Sequence, residues 1–174
     1  KNVPLVCGEN GMGHIHDDRM SVGTAGDMSI RDNFLATIYR RPELKKGLFL
    51  NYKKADVIAE QSGEKYKVKI GKITDDISSL SGGNMQKVII GRSVALENIR
   101  LLIVDEPTTG MDIGAKYQVY HKLRELTDQR KLCIMMVSSE LDELFAVCDR
   151  IYIFANGSCI DSVAREKAVR GRRV

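Results

Sequence analysis

With 174 residues, 43% hydrophobic and 29% charged, the chain reads as one soluble globular domain with a real core. Its longest apolar runs, such as Leu132 to Val137, are too short to span a bilayer, and no charged-then-apolar signal segment opens it. The net charge of +4 is weighted toward Arg165, Lys167, Arg170, Arg172 and Arg173. No aromatic residue interleaves with that basic tail, so it is expected to be a frayed, solvated terminus rather than a nucleic-acid or lipid surface. The opening at Lys1 is expected of a fragment or a processed product. Cys7, Cys133, Cys148 and Cys159 show no metal-ligand pairing and are expected to be buried free thiols of a reducing compartment.

In chain order, Gly8 to Gly13 is glycine-rich and reads as a loop. Ser29 followed by Asp32 is a capping signal ahead of Ile30, Phe34, Leu35 and Ile38, which recur at helical spacing. Pro42 is expected to stop that helix. A second helix is predicted from about 51 to 61, ending near Gly63. Lys65, Lys67, Lys69 and Lys72 form the only mid-chain basic cluster and read as a solvated strand or loop face. From Leu80 onward, helices and strands alternate. A helix follows Gly83, and the apolar run 101–104 predicts a strand covered on both faces. A helix over 113–128, a strand over 132–137 and a helix over 140–147 come next. Strands at 151–154 and 158–160 are joined by Asn156-Gly157, a hairpin turn. This order predicts an α/β fold, a mainly parallel sheet with an antiparallel hairpin at its edge.

Three stretches carry chemistry. In Leu80-Ser81-Gly82-Gly83-Asn84-Met85-Gln86-Lys87, two glycines lead into a helix. Glycine admits a ligand close to the backbone, and the helix start offers free N–H groups and partial positive charge to phosphate. Alone, this would be an ordinary Ser-Gly-Gly turn with Ser81 as cap. Val104-Asp105-Glu106-Pro107 changes the reading, because two adjacent carboxylates close an apolar strand where α/β sheets bind ligands. One carboxylate suits hydrated Mg²⁺ beside phosphates, and the other suits proton acceptance from water. Side-chain alternation along a strand is expected to send the two to different tasks. Asp112, after Thr108-Thr109-Gly110-Met111, is expected to cap the next helix and to touch the neighbouring site.

Together these stretches resemble the ATP-binding-cassette (ABC) family. Residues 80–86 resemble its signature motif, 101–106 its Walker B strand and 110–112 its D-loop, and the match runs from Asp17 to about Val163. His16-Asp17-Asp18-Arg19 resembles the Pro-Glu-Asp-Arg stretch near the Q-loop, and Met28 to Asn33 resembles the family's next segment. With Ser138-Ser139-Glu140-Leu141, these look like the second, C-terminal cassette of tandem ATP-binding subunits of bacterial importers for ribose, galactose, xylose or autoinducer. Nucleoside importers are close by.

The resemblance implies ATP and Mg²⁺ as cofactors. Ser81, Gly82, Gly83, Asn84 and Gln86 would serve an ATP held mainly by the first cassette. Asp105 would assist Mg²⁺ through water and Glu106 would be the general base. Asp112, Ser139 and Asp17 would stand at the D-loop, switch and Q-loop positions. It also implies Q-loop residues over 1–28, a helical subdomain over 29–100, the remaining core over 101–163 and a tail over 164–174. The implied partners are the first cassette, transmembrane permease subunits and, indirectly, a periplasmic or lipid-anchored solute-binding protein, with no nucleic acid. The implied place is the cytoplasmic face of the membrane, as a peripheral subunit.

Three departures qualify this. No Gly-x-x-x-x-Gly-Lys-Ser/Thr occurs, so the P-loop and its first βα unit are absent from the expected fold. Serine stands at Ser139 where a histidine is usual, and Asp17 where glutamine is usual. The expected cassette therefore has a weak nucleotide site of its own and an intact signature loop. Its apolar sheet surface is expected to lack cover. The other readings are a soluble ABC-type ATPase acting on ribosomes or DNA, and a non-catalytic remnant that docks a membrane subunit.

Overall fold

Why the chain folds as it does is clearest at its central strand. The structure, a computed structural model, describes residues 10–95 and 98–165. In chain order the first elements are β1 (Met12–Ile15), a single wide helical turn (Arg19–Gly23) and helix α1 (Ile30–Leu35). A two-stranded ribbon, β2 (Lys45–Lys46) and β3 (Phe49–Leu50), leads to α2 (Tyr52–Lys65) and α3 (Gly82–Ser93). Then come β4 (Leu101–Asp105), α4 (Ile113–Arg130), β5 (Cys133–Val137), α5 (Leu141–Val147), β6 (Arg150–Ala155) and β7 (Ser158–Ala164). Strands β1, β4 and β5 form a parallel sheet in the order β1-β4-β5, with Ile15 opposite Val104 and Asp105 opposite Val137.

Strand β4 sits in the middle, paired by β1 on one side and β5 on the other. Leu102 and Val104 are 0% exposed, whereas Leu101, Ile103 and Asp105 are half-buried. The strand is therefore sealed on one face and only partly covered on the other. The sealed face joins one core with Ile30, Phe34, Val88, Ile89, Val119 and Leu123. This core runs across the 100/101 boundary expected between a helical subdomain and the rest. Each such fully buried side chain contributes roughly 1.5–3 kcal/mol of transfer free energy. A smaller cluster, Leu35, Ile38, Leu44 and Ala55, lies under the β2–β3 ribbon.

Several local expectations give way to packing. Met12 and Gly13, the end of the stretch expected to be a loop, belong to a strand over 12–15, because parallel pairing with β4 overrides the low strand propensity of the glycine. Helix α1 is capped by Ser29 as expected, but it ends at Leu35, well before Pro42. There Thr37 turns its hydroxyl to the carbonyl of Arg92, so the chain bends onto α3. Helix α2 continues through Gly63, which is a close-packing site. A Cβ there would stand 2.6 Å from the Ile70 side chain. The basic cluster lies at the end of α2 and in the loop after it, not on a strand.

Asn156 and Gly157 have φ of 49° and 74°, as a tight hairpin turn requires. The hairpin β6–β7 forms its own sheet, however, and is not bonded to β5 among the described residues. On β5, Cys133, Met135 and Val137 are exposed in alternation. Cys133 and Cys159 are thus surface thiols rather than buried ones, and Cys148 is half-buried. Their faces carry no covering layer among the described residues. Cys7, most of the basic tail and part of the glycine-rich start lie outside the described residues. No described helix is long and apolar enough to cross a membrane.

Gly11, in the turn just before β1, has φ +78°, and a Cβ there would meet the carbonyl oxygen of Asn98 at 2.3 Å. Gly11→Ala combines left-handed strain with a backbone collision and should destabilise the chain by about 3 kcal/mol. Urea unfolding measures this, and an unchanged midpoint would contradict the placement of β1 on β4.

Candidate functional site

The acidic end of β4 is built by the backbone more than by side-chain alternation. Regular strand geometry stops at Asp105, and Glu106 takes φ +43°, a left-handed conformation that is strained for a residue with a Cβ. Its N–H still donates to Val137 O at 2.9 Å, which keeps the turn bolted to β5. The direction of the Glu106 carboxylate is therefore set by partners rather than by the pleat. Oε1 accepts the Ser139 N–H at 2.6 Å, and Oε2 accepts Thr109 Oγ1 at 3.3 Å. Glu106, Ser139 and the start of the 109–112 loop thus meet at the C-terminal edge of the parallel sheet. Asp105 is half-buried beside them.

A second, buried carboxylate supports this edge from beneath. Glu143 on α5 is 2% exposed and accepts two hydroxyls, Thr108 Oγ1 at 2.8 Å and Ser138 Oγ at 2.5 Å. Ser138 Oγ in turn accepts the Glu140 N–H at 3.1 Å. One side chain thereby fixes the segment after β4 and the segment after β5 to each other. Lys116 of α4 adds a bond to Glu140 at 2.5 Å, and that hydrogen bond holds the lysine pKa above its ordinary value. Burial raises the Tyr120 hydroxyl, whose neighbours are Thr108 and Glu143.

The other half of the site is the start of α3. Ser81 caps it: its Oγ accepts the Asn84 N–H at 3.5 Å and the Asn84 side-chain amide at 3.1 Å. Asn84 Oδ1 accepts the Lys69 N–H at 3.0 Å, so this residue ties the helix start to the lysine-rich loop. Lys87 donates to Lys67 O at 3.0 Å, and partial burial lowers its pKa, helped by Lys69 and Lys67. Ser81 and Gly82 are exposed and Gly83 is half-buried, so the amide-rich end faces outward. A Cβ on Gly83 would stand 3.3 Å from the Ala115 methyl, which packs this turn on the first turn of α4. Asp112 caps α4 as expected, accepting the Ala115 N–H at 2.9 Å.

Two predicted site residues stand apart. Asp17 leaves β1 at the same sheet edge as Asp105 but is exposed, 2.6 Å from His16 Nδ1. Gln86 does not reach the surface. It is 0% exposed, and its amide N and O are both buried without partners, because helical rotation turns it into the core beside Met85 and Ile89. Sequence reasoning also missed Thr108, Ser138 and Glu143. Glu143 looks like any acid of an amphipathic helix, and only its burial marks it out.

The chain is 35% identical over 161 residues to an L-arabinose transport ATP-binding protein of Geobacillus stearothermophilus, covering 92% of this chain and 31% of that protein. The chain belongs to the ATP-binding-cassette family. A xylose import ATP-binding protein of Moorella thermoacetica is 36% identical over 91% of the chain and 31% of its own length. A putative ribose/galactose/methyl galactoside import ATP-binding protein of Halalkalibacterium halodurans is 37% identical over 92% of the chain and 30% of its own length. The chain thus spans about a third of the curated relatives it matches. No family model matches it.

The cassette fold is seen in the solved structures as well. An ATP-binding cassette of an ABC transporter in its ADP conformation superposes at TM-score 0.72 with 20% identity, covering 97% of this chain and 66% of that one. A dimeric cassette bound to ADP and Pi gives TM-score 0.69 with 16% identity, over 88% and 62%.

Replacing Glu143 by alanine leaves one buried and one half-buried hydroxyl, those of Thr108 and Ser138, without their acceptor. Glu143→Ala should cost about 2–3 kcal/mol, and Glu143→Gln, which keeps one acceptor, clearly less. Equal stability of both variants and the parent in urea would show that the network bears no weight.

Proposed function

We propose that the chain is the C-terminal part of the second cassette of a tandem ATP-binding subunit, and that it helps couple ATP hydrolysis to import of a sugar. One observation supports this above all. The capped, outward-facing start of α3 and the held carboxylate of Glu106 are separate, yet one stretch of chain touches both: Thr109 bonds Glu106 and Ala115 packs on Gly83. A cassette needs both: one surface offered to a nucleotide on its partner, and one acidic edge for its own. The names of the curated relatives, all sugar transport or import ATP-binding proteins, agree with this reading.

In this reading, the Ser81 hydroxyl and the amides of Gly82 and Gly83 donate to the terminal phosphate of an ATP held mainly by the first cassette. The helix start favours that anion at no reorganisation cost. Asn84 keeps the turn in shape through Ser81 and Lys69. Glu106 accepts the proton of an attacking water at Oε1 or Oε2, with the Ser139 N–H holding it in place. Ser139 thus contributes its backbone rather than an imidazole. Asp112 holds the loop that runs between the two sites, and Asp17 lines the sheet edge next to it.

Among the described residues, no three carboxylate, histidine or cysteine groups cluster tightly enough to hold a metal alone. Asp105, a single hard oxygen donor at the sheet edge, fits an ion that takes its other ligands from phosphate and water, as Mg²⁺ does. When bound, that ion neutralises phosphate charge.

The backbones of Lys67 and Lys69 bond Lys87 and Asn84, so the lysine-rich loop has a structural place beside the signature turn. The proposed partners are the first cassette and permease subunits at the cytoplasmic face of the membrane, with a solute-binding protein acting indirectly.

Two measurements test the proposal. The isolated chain, lacking P-loop donors, should bind MgATP far more weakly than micromolar in calorimetry, and micromolar affinity would contradict it. In the assembled transporter, Glu106→Gln should lower kcat by about 10²–10⁴-fold while ATP still binds. An unchanged kcat would remove Glu106 as the base.

A further inference from the structure

The wide turn Arg19–Gly23 supplies no group to the proposed chemistry, yet it touches both halves of the site. Asp18 caps it, accepting the Met20 and Ser21 N–H groups at 3.1 and 2.9 Å, and these bonds, Ser21's first, hold its carboxyl below the usual range. Thr24 Oγ1 donates to Arg19 O at 2.8 Å. From the last turn of α3, Arg92 donates to Gly23 O, which ties the turn to the signature helix. The backbone of Arg19 is therefore held in place before its side chain makes any contact.

That side chain reaches into the seam between the two loops. Nη2 donates to the carbonyl of Thr109, the residue whose hydroxyl meets Glu106. A Cβ on Gly82 would stand 3.8 Å from Nη1, and one on Gly110 would stand 3.7 Å from Nη2. One guanidinium thus lies within contact distance of glycines from two different loops. Nη1, next to the signature turn, is shielded from water and has no partner. A cation close to a helix start and an unpaired buried donor are both unfavourable locally. The planar fork of arginine nonetheless reaches both loops at once, bonding the Thr109 carbonyl through Nη2 while Nη1 rests against the Gly82 turn.

We infer that Arg19 is a positioning residue that locks the signature turn to the 109–112 loop, so that the surface offered to the partner's nucleotide and the acidic edge of the chain's own site move as one unit. This rests on the two-site reading proposed above. It predicts that removing Arg19 uncouples the two loops without removing a group that touches nucleotide.

A double-mutant cycle in the assembled transporter, with amide exchange on the full chain, tests it. Ser81→Ala and Arg19→Ala should each lower kcat about tenfold, and Arg19→Ala should leave KM for ATP within about twofold. The double variant should be no slower than the slower single one. Arg19→Lys keeps the charge and serves if the alanine variant does not fold. It should lose rate equally and speed amide exchange at 82–84 and 110–112 together. Multiplicative losses in the double variant, full rate with lysine, or faster exchange in one loop alone would each overturn the inference. Full rate in Ser81→Ala would instead sink the two-site reading, while joint exchange would still support the tie.

Discussion

Strand β4 is the constraint on which the remaining structure depends. Its sealed face, Leu102 and Val104, must be covered by helices, and its backbone must be paired on both sides by β1 and β5. Those requirements place its C-terminal end, Asp105 and Glu106, at one edge of a parallel sheet. They also bring the segments after β1 and β5, with Asp17 and Ser139, to that same edge. The chemistry of the site is thus a consequence of where one apolar run, Leu101 to Val104, has to stop.

Beyond that point the structure relies on polar ties between loops rather than on core packing. Glu106 leaves the strand in a strained conformation and is held by a backbone N–H and a hydroxyl from two different segments. Glu143 fixes those segments from below, and the Arg19 turn borders them from above the signature helix. Each tie is made by a polar or charged group partly removed from water, where a satisfied bond is strong and a missing one is costly. An edge built this way holds its geometry while remaining open to a ligand.

The uncovered face of β5 and the separate hairpin come from the same logic. A parallel strand is normally covered on both faces, yet Met135 and Val137 are exposed and β6–β7 stands apart as its own sheet. This agrees with a cassette whose P-loop unit is not encoded in these residues, and with a chain that spans about a third of its curated relatives.

Where residues and local chemistry coincide, the sequence was legible. The Ser29, Ser81 and Asp112 caps, the turn at 156–157 and the 101–106 strand ending in two acids were readable, because each depends on neighbours within a few residues. The grouping of signature, acidic strand and adjoining loop was enough to identify a cassette. Tertiary structure alone decided the rest. It made a strand of Met12 to Ile15, which overlaps the end of the glycine-rich 8–13 stretch, by pairing it with β4, and it buried Gln86 while exposing Cys133 and Cys159. It also turned Glu143 and Arg19 from ordinary charges into residues bonded to Thr108 and Thr109, 35 and 90 positions away. Those outcomes depend on partners distant in the chain, and neither periodicity nor propensity carries information about them.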